Sequence, residues 1–105
     1  RALVYEPKIL ILDEPFCNLD IKSNFILNKN INNLIDNSLN IIYVTHNLES
    51  ILTKTNRVIL IKEGEIINDG KPNEIIKNNI LSDLFEIPIN VIKQNNYWRG
   101  IPIDN

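Results

Sequence analysis

Ile9-Leu10-Ile11-Leu12-Asp13-Glu14-Pro15 is the stretch from which the rest of the chain is read. Four aliphatic residues in a row end in two adjacent carboxylates and a proline. A short apolar run bounded by a breaker reads as a strand buried on both faces, as in a parallel sheet. Proline cannot continue a hydrogen-bonded ladder, so the strand, starting near Lys8, stops at Asp13. The two acids then stand at the carboxyl end of a buried strand, where open α/β sheets hold their ligands. Side by side there, they are costly unless a cationic species binds.

Further along, Leu19-Asp20 opens a helix to about Asn37. Leu27, Ile31, Leu34 and Ile35 recur at helical spacing and define its core face. Asn40 to Thr45 is a second buried strand rich in β-branched and aromatic residues, and His46 follows it at once. Strand, helix, strand implies a parallel pair with a crossover helix, which puts both carboxyl ends on one edge. Asp13-Glu14 and His46 should therefore meet in space.

Asn47 is placed to cap a helix over Leu48 to Lys54, with Glu49 in its first turn. Arg57 to Lys62 reads as a third strand and Glu65 to Asn68 as a fourth, joined by the turn Glu63-Gly64 in a hairpin ended by Asp69-Gly70. Pro72 suits the first position of a helix to about Asn78. Ile80 to Phe85 reads as a further helix, Ile89 to Ile92 as a last strand, and Tyr97 to Asn105 as an irregular tail that Tyr97 and Trp98 pack down.

The chemistry follows from the three groups at the strand ends. Asp13 can hold a magnesium ion directly or through its water shell. Glu14 can take a proton from an attacking water or orient that water. An imidazole at the neighbouring strand end can hydrogen-bond a terminal phosphate. Together these are most of a site for hydrolysing a magnesium-bound nucleotide. A phosphate cradle is missing: no G-x-x-x-x-G-K-[ST] occurs, and none of Gly64, Gly70 and Gly100 lies in such a loop. An Asp-Glu pair can also be a helix cap or a solvated turn, and a lone histidine is often structural. It is the combination that argues for a site.

Composition limits the alternatives. The 105 residues are enough for one modest core, and a net charge of −2 gives no reason to expect nucleic acid as a partner. Cys17 is the single cysteine, which excludes an intramolecular disulfide and reads as a small filler. No apolar run approaches a membrane span, and no signal or transit peptide is visible. Asparagine, isoleucine and lysine are over-used, as A/T-rich codons would give. The clusters Asn28-Lys29-Asn30, Asn32-Asn33, Asn78-Asn79 and Asn95-Asn96 are accordingly read as solvated surface. Arg1 to Val4 reads as the end of a helix already in progress, so the chain looks cut from something longer.

Arg1-Ala2-Leu3, Pro7 to Phe16, Asn18-Leu19-Asp20 and Val44-Thr45-His46 resemble the carboxyl-terminal half of the ATP-binding cassette (ABC) ATPase domain, in that family's order and spacing. The likeness continues through Arg57 to Ile66 and Gly70 to Ile75, covering about residues 1 to 78 well. It implies an α/β fold of the P-loop NTPase type, with a mostly parallel sheet and flanking helices, incomplete because the P-loop half is missing. It also implies one domain part over 1–105, with a Walker B to switch-histidine region at 1–62 and a hairpin with helices at 63–105. By the same resemblance Asp13 is the Walker B aspartate acting on Mg2+, Glu14 the catalytic carboxylate, and His46 the switch histidine that contacts the terminal phosphate of ATP. Asn18, Leu19 and Asp20 match the loop that communicates across the nucleotide-sandwich dimer. Cys17 stands where the family usually has serine, and Asn47 where it usually has aspartate.

The implied function is ATP binding and hydrolysis by the ATPase subunit of an ABC transporter, expected to be an importer, powering solute transport across a membrane. Asp-Glu-Pro-Phe before Asn-Leu-Asp resembles importer subunits. Leu81 to Phe85 and Ile87 to Val91 resemble importers of metal chelates and oxyanions. Expected partners are a second ATPase domain and transmembrane permease subunits, with no nucleic acid, at the cytoplasmic face of the cell membrane. The rival readings are a soluble ABC-type ATPase acting on ribosomes or DNA, and an inactive truncated remnant. Without the Walker A loop and signature the chain alone is expected to be inactive. With the P-loop strand missing between Asn40–Thr45 and Arg57–Lys62, it is also expected to be unstable or to aggregate.

Overall fold

The structure, a computed structural model, describes residues 9–14, 20–37 and 39–104. The readings placed on Arg1 to Lys8, on Pro15, Phe16, Cys17, Asn18 and Leu19, and on Asn105 lie outside the described residues. The chain divides between His46 and Asn47 into two compact units.

The first unit is strand, helix, strand: β1 (Ile9–Asp13), α1 (Ile21–Asp36) and β2 (Asn40–Val44). β1 and β2 pair in parallel, with Leu12 opposite Tyr43 and Asp13 opposite Val44. The crossover expected from the apolar pattern is thus present, with the strand ends level. Burial of the strands on both faces is not. Leu10, Leu12, Ile41 and Tyr43 share a half-buried face, while Ile11 and Ile42 on the other are 66% and 53% exposed. Side chains alternate along a strand, and only one face of this two-stranded sheet is covered. The uninterrupted aliphatic run therefore leaves half of its residues in solvent.

Asp20 caps α1: its extended backbone (φ −77°, ψ 176°) turns the carboxylate onto the Ser23 amide at 2.7 Å. Ile31 is buried at the centre of the helix face, flanked by half-buried Leu27 and Ile35, but Leu34 is exposed. In its place the helix buries Asn28, whose Oδ1 accepts from Asn32 Nδ2 at 3.1 Å. One asparagine read as solvated surface is therefore inside, its amide oxygen satisfied one turn along.

The cap also sets a pH dependence. The hydrogen bonds from Ser23 hold the Asp20 carboxyl below its ordinary value of 3.8. A lowered folded value means that this stabilisation is fully present above the ordinary aspartate range. It is lost as pH falls through the lower, folded value. Asp20→Ala is expected to speed hydrogen exchange at the Ser23 amide at neutral pH and to erase the acid-dependent fraying of the first turn of α1, both readable by NMR.

The second unit begins with a single 3-10 turn at Leu48–Ser50, not the expected helix to Lys54, and Asn47 caps it through its backbone carbonyl, which accepts from the Ser50 N–H at 3.1 Å, and not through its side chain. The β-branched residues Ile51, Thr53 and Thr55 oppose continuation. β3 (Val58–Lys62) and β4 (Glu65–Gly70) form the expected hairpin, longer than expected because Gly70 pairs with Val58. Its turn residues Glu63 and Gly64 have φ of 52° and 77°, the left-handed pair that suits a two-residue hairpin. A Cβ on Gly70 would meet Ile75 Cδ1 at 3.1 Å, so glycine permits α2 (Pro72–Ile75) to approach. The helix expected from Pro72 to Asn78 breaks at Ile76, and a new one, α3 (Asn78–Phe85), begins two residues earlier than expected. The break lets both Ile75 and Ile76 turn inward.

The supposed tail is a strand. β5 (Ile89–Gln94) and β6 (Tyr97–Pro102) pair antiparallel around Asn95-Asn96, whose φ of 52° and 67° again make a tight hairpin turn. Two asparagines read as surface drift are thus the residues that tolerate this geometry. Trp98, Leu81 and Ile76 form the buried cluster, surrounded by Leu48, Ile51, Val58, Leu60, Leu84 and Val91. Tyr97 stays exposed.

Candidate functional site

The end of β1 carries the carboxylates where the aliphatic run requires. Asp13 is its last residue and is exposed. At Glu14 the backbone leaves the extended region with φ 49°, a conformation rare for a residue other than glycine. Its N–H still donates to the Val44 carbonyl at 2.8 Å, so the turn is anchored to β2. The side chain bends towards the end of β2. Glu14 Oε1 accepts from the backbone N–H of His46, and Oε2 accepts from the Thr45 hydroxyl at 3.2 Å. The His46 Nε2 lies 3.9 Å from Glu14 Oε1.

Residues 31 and 32 positions apart are therefore joined at one edge of the sheet. Their environments differ sharply. The Glu14 side chain is 22% exposed, while that of His46 is 89% exposed. Glu14 is oriented by fixed donors, and the imidazole faces solvent. Such an arrangement can offer an aligned carboxylate to a water molecule and an exposed imidazole to an anionic group beside it.

Asp13 supplies a single hard oxygen ligand at this edge. Among the described residues no group of three His, Cys, Asp or Glu side chains could hold a metal ion. One carboxylate still fits Mg2+, which keeps most of its water shell and relies on phosphate oxygens for the remainder. It does not fit a metal that requires a cage of protein ligands.

Of the three residues matched to the dimer loop, Asn18 and Leu19 lie outside the described residues. Asp20 is engaged in capping its own helix. Thr45 was not singled out from the sequence as a site residue. The signal was its place between Val44 and His46, at a position whose side chain reaches across to β1.

No family model matches the chain. Among curated proteins it is 38% identical over 116 residues to the uncharacterized ABC transporter ATP-binding protein YlmA of Bacillus subtilis (strain 168), covering 100% of this chain and 42% of that protein. It is 44% identical over 77 residues to the spermidine/putrescine import ATP-binding protein PotA of Borreliella afzelii (strain PKo), covering 71% of this chain and 22% of that protein. The chain thus spans less than half the length of these relatives. Among solved structures it superposes with a TM-score of 0.77 at 20% identity on an ABC transporter described as of the metal-chelate type, in an inward-facing conformation. The match covers 92% of this chain and 40% of that one. At that identity the likeness is one of fold. No helix among the described residues is long and apolar enough to cross a membrane.

Proposed function

We propose that this chain, which belongs to the ATP-binding proteins of ABC transporters, is the carboxyl-terminal part of a nucleotide-binding domain that hydrolyses ATP to drive import of a solute. The observation that carries this reading is the convergence of Glu14 and His46 at adjacent ends of two parallel strands. Asp13 would hold Mg2+, directly or through its water shell, and the bound ion would supply positive charge that offsets the phosphates. Glu14 takes the proton of the attacking water. His46 donates to the terminal phosphate from the solvent side of the carboxylate. The grip on the phosphates would have to come from a Walker A loop and a signature motif, neither of which occurs in these 105 residues. The working unit is a dimer of such domains docked on permease subunits at the cytoplasmic face of the membrane. The relative named for spermidine/putrescine import supports the importer assignment.

The test is ATP hydrolysis by the protein that carries this sequence joined to its phosphate-binding half. Hydrolysis is expected to require Mg2+, and His46→Ala is expected to lower kcat by about 10²-fold, as for loss of one donor to developing charge. Mg2+-independent turnover, or an unchanged kcat in His46→Ala, would overturn the assignment. A stop codon in place of the upstream motifs would overturn the activity itself.

A further inference from the structure

We propose that Thr45 is a positioning residue for the Glu14 carboxylate, a role that rests on the reading of Glu14 as the base. Among the described residues two donors hold that carboxylate, one on each oxygen, and they come from consecutive residues at the end of β2. The His46 N–H belongs to the backbone and is fixed by the strand. The Thr45 hydroxyl, 3.2 Å from Oε2, is the side-chain half of the pair. A glutamate side chain has three rotatable bonds, and one donor leaves the carboxylate free to swing about the bonded oxygen. A second donor on the other oxygen fixes its plane. The left-handed backbone at Glu14 and its N–H bond to Val44 anchor the other end of the same side chain. The direction in which Glu14 presents its lone pairs is therefore set from β2. Half of that setting depends on one hydroxyl.

Thr45→Val keeps the β-branched shape and removes the donor, and Thr45→Ser keeps the donor. In the ATPase that carries this sequence, Thr45→Val is expected to lower kcat about 10-fold, with KM for ATP within 2-fold of wild type and Tm unchanged. Thr45→Ser is expected to recover most of the rate. In a Glu14→Gln background, Thr45→Val is expected to cause no further loss. A wild-type kcat in Thr45→Val, or a loss that Thr45→Ser fails to recover, would sink the proposal. If Thr45→Val does not fold, Thr45→Ala reads the same split between kcat and KM and the same rescue. The two readings separate through Glu14→Gln. If that variant is inactive and Thr45→Val is fully active, only the positioning role falls. If Glu14→Gln keeps its rate, the base assignment falls and the role of Thr45 with it.

Discussion

Glu14→Gln is expected to reduce ATP hydrolysis by at least about 10²-fold, the scale of a lost general base, while ATP binding stays near its wild-type affinity. The substitution is close to isosteric. The amide oxygen can still accept from the His46 N–H, so the turn at the end of β1 should survive. What disappears is the capacity to take a proton from water. A change confined to kcat, with KM unaltered, marks an interaction made only in the transition state. Single-turnover hydrolysis separates this from slow product release, and a fluorescent ATP analogue measures binding. Retained turnover would show that Glu14 orients the strand end and does no chemistry. Loss of turnover together with loss of binding would point to a collapsed edge of the sheet.

The part of this site that was legible in the sequence is the part that depends on chain direction. An apolar run closed by a breaker locates a strand end, and a strand-helix-strand order makes two such ends coincide. Asp13, Glu14 and His46 follow from those two rules. What was not legible depends on backbone torsions and on which face is covered. The left-handed turn at Glu14, which sends its side chain to Thr45 and not onward, has no glycine to announce it. The exposure of Ile11 and Ile42 reflects how much of a sheet this stretch of chain can cover, which local patterning does not encode. The inward Asn28 required its partner Asn32 to be recognised as a hydrogen-bond acceptor's donor one turn away.

The carboxyl-terminal hairpin was missed for a related reason. Asn95-Asn96 looks like one more solvated asparagine cluster, yet asparagine is among the few residues other than glycine that tolerate positive φ. Once those two residues are taken as a turn, Ile89 to Gln94 and Tyr97 to Pro102 become matching strands. The tail then acquires a register with Lys93 opposite Trp98.

Trp98→Ala is therefore expected to be among the most destabilising single changes in residues 47–104. The indole is 8% exposed and sits with Ile76 and Leu81 in the buried cluster. The Lys93 Nζ lies 4.9 Å from the ring centroid, so its stem and charge cover the outer face. Truncating a buried tryptophan costs about 3–5 kcal/mol. Against a typical total of about 5–15 kcal/mol, that is enough to unfold the hairpin or to lower the urea midpoint severely. Trp98→Phe keeps an aromatic ring in the cluster and should lose much less. Trp98 is the single tryptophan in the sequence, so in the protein that carries this sequence, with any tryptophan outside it replaced, its emission reports directly on this cluster and should be blue-shifted until the cluster opens. Emission of a solvated indole under native conditions, or an unchanged urea midpoint in Trp98→Ala followed by circular dichroism, would mean that β6 is not part of the folded unit. In that case the reading of Tyr97 to Asn105 as an irregular tail would be restored.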